Sequence, residues 1–452
     1  MSKAAETLYD RITQVSDQLV EQAQQPRRRR RSPWIGAIAA VLALAIIFGA
    51  LFGRSGLSAY AIAEPKYPKD RIPASDMDYS PMLEHFLGAA IPQILSGHDG
   101  ENLVVSPLNL YLALAALSEL SEGGTKAELL SLLGTRDQAQ TRALAKQLWE
   151  SHCWEDRHNV CRLAGSVWLS KDLDYEKEAL EILAQDYYCA SYRGEMGTSG
   201  YNRALQTWIN KQTKGLLKNQ ASGLAMDPET VLALVTTIYF KTTWAAGFEK
   251  SQTRQDLFHG PTGDQTTEFL HKDGLYADYV WGERFCGVVQ GTKSAARVWY
   301  LLPDEGVRPE ELLEDEEFLR FLCRGKNGWE KEQSVKVNLT VPKFDVASDL
   351  ELTEDLKALG LEAMFDFDAA NFTPLTKIDD PVAVSQVSHA ARVRIDEEGV
   401  EGAAYVEINM NAGAAAPPEG EPVEFVADRP FLFVISTMYD ELPLFVGIVN
   451  EP

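Results

Sequence analysis

Two residues of this chain have the right types for nucleophilic catalysis: Ser106, which precedes Pro107, and His389. A serine becomes a nucleophile only beside an oriented base, and the sequence around neither residue supplies the context of a triad. A hydrolase reading therefore rests on these two side chains alone. No GxSxG elbow, HExxH, Walker loop, GxGxxG or EF-hand loop occurs. The seven His are scattered, and Cys153, Cys161, Cys189, Cys286 and Cys323 contain no CxxC pair, so no metal site, cofactor or disulfide framework is expected. Cys153 and Cys161 are close enough in sequence to bridge in an oxidising compartment; two free, half-buried thiols are the other reading. Asn338 and Asn371 match the glycosylation sequon, a pattern frequent by chance.

The unusual stretch is 397–413, EEGVEGAAYVEINMNAG. By parity, Val400, Gly402, Ala404, Val406, Ile408, Met410 and Ala412 share one face, and Glu401, Ala403, Tyr405, Glu407, Asn409, Asn411 and Gly413 the other. Period-two alternation marks a strand with one buried and one wet side. Its first half is nevertheless rich in Gly and Ala, which weaken an ordinary strand, and the AAAPPEGEP that follows reads as exposed loop. Two readings stand: a permanent edge strand leading to a loop, or a segment kept small so that it can slide between two existing strands.

The elements that must position these residues divide by type along the chain. PLNLYLALAALSELS carries apolar residues on more than one face, as a helix buried within a fold requires; TKAELLSLLG ends on Gly134 as a C-cap, and YNRALQTWINKQTKGLL stops near Gly215. TVLALVTTIYF is β-branched and aromatic, suited to the middle of a sheet, and VKVNLTVPKF, ARVRI and FLFVI continue the strand pattern. Helices first and strands later, without βαβ alternation, predict an α+β architecture. From Met77 onward no repeat or low-complexity linker divides the chain before Ala412 to Pro422, so 77–452 is expected to be one large domain.

The 452 residues carry a formal charge of −23, unevenly spread: residues 1–54 hold eight Lys/Arg against four Asp/Glu, leaving 35 against 62 for the rest. Such acidity argues against nucleic acid, because phosphate binding needs clustered cations. Trp34 to Phe52 is a 19-residue run without a charged side chain, long enough at about 1.5 Å per residue to cross a hydrocarbon core of roughly 30 Å. The basic block Arg27 to Arg31 precedes it and only Arg54 follows closely, which places the N-terminus in the cytoplasm and the domain outside the cell. The alternative is secretion after cleavage near Ala61, since Ala59-Tyr60-Ala61 fits the small-x-small pattern. The expected organisation is a cytoplasmic tail over 1–33, a transmembrane helix over 34–52, an extracytoplasmic linker over 53–76 and then the domain. Leu8, Ile12, Val15 and Leu19 stand at helical spacing in the tail, leaving a short amphipathic helix and a polar tail both open.

From about Asp78 to Pro452 the chain resembles the serpin family in eight motifs that occur in the family's order: NLVVSPLNLYLALAAL, GGTKAELLSLLG, DPETVLALVTTIYFKTTW, LLPDEG, VPKF, EEGVEGAA, ADRPFLFVI and PLFVGIVNEP. The resemblance, read with the anchor as a membrane-bound member of bacterial source, implies the serpin fold: a large central mixed β-sheet, smaller sheets, helices packed around them and an exposed reactive loop. It implies a monomeric suicide inhibitor of serine proteases, not an enzyme. The target protease's serine attacks the loop and forms an acyl-enzyme; the cut loop then inserts into the large sheet as a new strand, carrying the tethered protease roughly 50 Å over some sixteen residues.

The same resemblance assigns residues. Glu397, Glu398, Gly399, Val400, Glu401, Gly402, Ala403 and Ala404 match the hinge of the loop. Trp244, Lys343 and Glu397 match the cluster at the top of the sheet where the loop first enters. Ser106, Asn109, Thr236 and His389 match the polar cluster beneath the sheet centre, with Asn109 where Ser is common and Thr236 where Asn is common; an amide that has crossed the cluster so that His389 keeps a partner is one reading, and a core mismatch with no role is the other. Family spacing puts the scissile bond at Gly413–Ala414, within a range from Met410 to Ala416, where small side chains suit an elastase-like or subtilisin-like pocket. Val400 replaces the usual Thr or Ser, and Gly402 and Tyr405 replace Ala, changes that add neither a charge nor a Pro to the inserting face. A non-inhibitory serpin acting as a binding or chaperone module is the alternative.

Overall fold

The apolar run expected inside a sheet, Leu232–Thr243, does lie there, with a strand on either side. The computed structural model describes residues 59–68, 80–155, 159–293, 296–377, 382–385, 387–400, 421–438 and 440–452. The cytoplasmic tail and transmembrane helix expected over 1–52 fall outside these; among the described residues no helix is long and apolar enough to cross a membrane.

The large sheet has eight strands: β1 (Tyr60–Ala63), β2 (Trp154–Glu155), β3 (Val160–Ser170), β4 (Cys189–Gly194), β5 (Leu232–Thr243), β6 (Phe344–Glu351), β7 (Ser388–Ile395) and β8 (Gly399–Val400). Their order is β1-β4-β3-β5-β8-β7-β6, with β2 beside β3. β3 and β4 run parallel and the other neighbours antiparallel, so the sheet is mixed as expected. It follows that β5 and β7 point the same way on either side of β8. A second sheet of nine strands ends in Phe431–Thr437, Pro443–Val449 and Leu103–Val105. Every residue of the first two is buried, which is why both read as unbroken apolar runs.

The inner face of the large sheet carries Leu163, Val167, Ile238, Phe240, Val393 and Ile395 into the main core. Against it lies α1 (Pro107–Glu119), started by the Ser106 cap and by Pro107, whose missing N–H costs nothing in a first turn. α2 (Gln138–His152) packs on α1. The outer face is crossed by α3 (Ser199–Gln212), whose Tyr201, Leu205, Trp208 and Ile209 cover Ala164, Trp168, Val235 and Ala390. The sheet is therefore buried on both sides near its middle, and a strand added there meets apolar surface on its inner face.

Part of the expected linker is built into the sheet. Tyr60–Ala63 pairs with β4 as the outermost strand, Tyr60 opposite Arg193 and Ala61 opposite Tyr192. Tyr67 stacks on Trp149 of α2 at 5.6 Å between centroids, and Trp149 stacks on Tyr188 at 3.7 Å. Four residues, YAIA, are too few to display a period; the open edge of β4 supplies the partner that composition does not reveal. All five cysteines are free, and burial pushes the Cys153 thiol up to about 11.

Candidate functional site

Strand β7 ends in a tight hairpin. Asp396 donates its N–H to the Gly399 carbonyl (3.1 Å), and its Oδ1 accepts the N–H groups of Glu398 (2.9 Å) and Gly399 (3.2 Å). This side-chain turn reverses the chain with Glu397 and Glu398 at its tip. Gly399 and Val400 then enter between β5 and β7: Gly399 lies opposite Thr243, and Val400 opposite Thr242 on one side and Ile395 on the other. Only glycine fits at 399, because a Cβ there would stand 2.1 Å from the Thr242 carbonyl oxygen and 2.8 Å from the Thr243 Cα. Val400 is 2% exposed and belongs to the main core with Ile395. The first residue of the alternating segment's apolar face is thus on the buried side.

The hairpin is held from β5 and its continuation. Trp244, itself buried, donates its indole N–H to the Asp396 carbonyl (2.8 Å) and its backbone N–H to Glu398 O (3.2 Å), while the Phe248 N–H reaches Glu397 O (3.4 Å). Lys343 Nζ lies 3.3 Å from Glu397 Oε1 and 3.1 Å from Glu268 Oε2. Glu397 Oε1 also accepts the Thr253 hydroxyl (2.9 Å). Burial pushes the Glu397 carboxyl up, but the bonds from its own N–H, Thr253 and Lys343 outweigh it and hold it below the usual carboxylate range. Trp244 and Lys343 are therefore both brought to the hairpin that carries Glu397. Asp396, Thr253, Glu268 and Lys250, which pairs with Glu398 at 2.8 Å, were not foreseen. Of these only Asp396 left a signal, an Asp three residues before the Gly of a hairpin.

Beneath the sheet, His389 Nε2 accepts the backbone N–H of Ser106 (3.1 Å), and the Ser106 hydroxyl accepts the Asn109 N–H (3.4 Å) as the cap of α1. Both residues are buried, and burial pushes the His389 imidazole down to about 4, so it is neutral near pH 7. The serine oxygen serves the helix cap and the imidazole Nε2 a backbone N–H, an arrangement other than the hydroxyl-to-imidazole hydrogen bond that the hydrolase reading needs. The amide of Asn109 does not partner His389 either. Its Nδ2 is buried without a protein hydrogen bond, and Asn109 shares the lining of a small cavity with Thr236, Trp149 and Cys189. The backbone N–H of Ser106 had already satisfied the ring. Asn338, the first sequon, has both ends of its amide engaged, with Gly274 N and Glu424 Oε1.

Residues 84–452 match the family model described as Serpin (serine protease inhibitor). The chain belongs to the serpin family. Serpin-Z1C of Triticum aestivum is 29% identical over 371 residues, covering 78% of this chain and 90% of that one. Serpin-ZX of Arabidopsis thaliana is 25% identical over 363 residues, with 78% and 92% covered. Among solved structures, the thermophilic serpin tengpin in its native state superposes with a TM-score of 0.73 at 23% identity, over 86% of this chain and 100% of that one. Arabidopsis AtSerpin1 in its native stressed conformation gives 0.72 at 22%, over 84% and 100%. At these identities the structural likeness speaks for the serpin fold. Plant, animal and archaeal serpins are among the relatives, and they lend the expected bacterial source no support. Serpins are mostly inhibitors acting on proteases rather than catalysts. In this serpin Glu401, Gly402, Ala403 and Ala404 of the hinge, and the reactive bond Gly413–Ala414 with its range Met410 to Ala416, lie outside the described residues.

Proposed function

We propose that this serpin is an irreversible suicide-substrate inhibitor of serine proteases, of elastase-like or subtilisin-like preference, whose cut loop inserts between β5 and β7. The observation that carries the reading is β8: its two residues already occupy the top of that position in a defined register, with Val400 facing the core. Continued by parity, the strand turns Gly402, Ala404, Val406, Ile408 and Met410 inward. Each large apolar side chain buried there contributes roughly 1.5–3 kcal/mol. The small residues between Met410 and Ala416 offer a shallow-pocket protease its substrate and a trypsin-like enzyme none. We further propose that residues 34–52 hold the domain at the outer face of a cell membrane. Cleavage near Ala61 would split β1, which favours retention of the anchor over release.

Incubation with neutrophil-type elastase and with subtilisin, followed by denaturing electrophoresis, tests the inhibitor. A band near the summed masses is expected; clean cleavage of the loop with both enzymes and no such band would favour the binding or chaperone alternative.

A further inference from the structure

The helix Glu316–Arg324 buries Phe318, Phe321 and Leu322 and ends at Gly325, whose φ of 56° suits a glycine. Two turns follow before the strand Glu332–Pro342 begins. The Asn327 N–H bonds the Arg324 carbonyl (3.2 Å), and the Trp329 N–H bonds the Lys326 carbonyl (3.0 Å). The second turn hangs Trp329 against Phe321 and Phe285, at 5.2 and 6.1 Å between ring centroids.

At the centre of that turn stand Asn327 and Gly328. Asn327 is the sole asparagine of the chain that is followed by glycine. Both residues are exposed, Gly328 has a φ of 73°, and a Cβ built on it would meet nothing within 4 Å. Neither the Asn327 carboxamide nor the Gly328 N–H has a hydrogen-bond partner among the described residues. Asn338 is the contrast, its amide engaged at both ends and its next residue a leucine. A backbone nitrogen one residue beyond an asparagine can reach the side-chain carbonyl carbon when no side chain of its own crowds the approach. The rotation this requires strains the Lys326–Trp329 turn bond at the surface, a local opening rather than an unfolding.

We propose that Asn327 is a site of spontaneous deamidation, at which the Gly328 nitrogen attacks Asn327 Cγ and the side-chain nitrogen leaves as ammonia. The new N–Cγ bond replaces the Cγ–Nδ2 bond, the Gly328 amide proton departs with the ammonia, and a five-membered imide remains without any change of oxidation state. Water then opens the imide. Breaking the N–Cγ bond gives aspartate with the ordinary backbone; breaking the bond from the same nitrogen to the main-chain carbonyl carbon gives isoaspartate, in which the chain runs through the former side chain. Either product adds a negative charge. The isoaspartyl product also lengthens the turn by one carbon, so the Lys326–Trp329 bond loses its geometry and Trp329 its hold on Phe321 and Phe285.

The test holds the full chain in mildly alkaline buffer over days, for the parent, Asn327→Gln and Asn327→Asp, and follows every asparagine by peptide mass spectrometry. The parent peptide containing Asn327 is expected to gain about one dalton, at least about tenfold faster than any other asparagine and faster still at higher pH. An enzyme that methylates isoaspartate should label the aged parent and leave Asn327→Gln, whose longer side chain would have to close a six-membered ring, unlabelled. The labelled fraction should unfold at lower denaturant than fresh parent, while fresh Asn327→Asp unfolds as the parent does and shows that the charge alone is tolerated. A parent peptide that keeps its mass, or that reacts in denaturant and not in the native protein, overturns the site. An isoaspartyl fraction as stable as fresh parent overturns its effect on the turn.

Discussion

Asn109 occupies the third position of α1, where its backbone N–H serves the Ser106 cap and its side-chain Nδ2 is left buried and unpartnered beside a small cavity. A buried donor without an acceptor costs on the order of 1–3 kcal/mol. Asn109→Leu removes that donor at similar volume and is expected to stabilise the intact protein by about 1 kcal/mol, read as a higher denaturant midpoint at unchanged slope. His389 makes the pH-dependent counterpart. Its imidazole is pushed from the ordinary 6.5 to about 4, so between these values the unfolded chain takes up a proton that the folded chain refuses. Its contribution to stability is full above about pH 6.5 and is lost as the pH falls toward 4, by on the order of 3 kcal/mol. Unfolding titrations at pH 7.0, 5.5 and 4.5 should show the parent losing stability faster than His389→Gln, whose amide oxygen can still accept the Ser106 N–H. Parallel pH profiles would contradict the neutral buried ring.

Among elements, the hinge hairpin and the edge strand behave oppositely. The hairpin is specified by contact with its neighbour: Gly399 passes so close to Thr242 that one added methyl displaces it. Gly399→Ala should therefore withdraw β8 while the rest of the sheet persists, and the loop should be cleaved as a substrate, with covalent complex reduced at least about tenfold on gels. An undiminished band would mean that β8 is not where insertion begins. At the far edge, β1 is held by its ladder to β4 and by the stack of Tyr67 on Trp149. Tyr67→Ala should cost about 1 kcal/mol, the worth of a partly exposed aromatic stack, seen as faster proteolysis or hydrogen exchange confined to residues 59–68. Of the alternating segment, Val400 lies on the buried side, as its parity implies; β1 left no pattern because a four-residue strand is shorter than the window that periodicity needs.

At the level of the whole molecule, the insertion proposed above would add ladder bonds on both sides of a new strand between β5 and β7 and would bury the Val406, Ile408 and Met410 face. Melting of chain nicked within Met410 to Ala416 is accordingly expected on the order of 10 °C or more above that of intact chain. Coincident curves would count against insertion.

The buried strands and the start of α1 were legible in the chain because they depend on local pattern, β-branched runs for the one and a Ser-Pro pair for the other, while the family was legible in the order of eight motifs. The cluster of Trp244, Lys343 and Glu397 came through resemblance to serpins, and its supports Thr253 and Glu268 came only with the structure, since they lie 144 and 75 positions from the groups they bond. Tertiary structure also supplied the partner of His389: its Nε2 accepts a backbone N–H, a donor every residue but proline carries and which sequence therefore cannot single out. The partners of Glu397 and Lys343 belong to the same class: Thr253 and Glu268 are ordinary polar residues until the strands bring them beside the hinge, because charge complementarity is a property of positions in space and not of order along the chain.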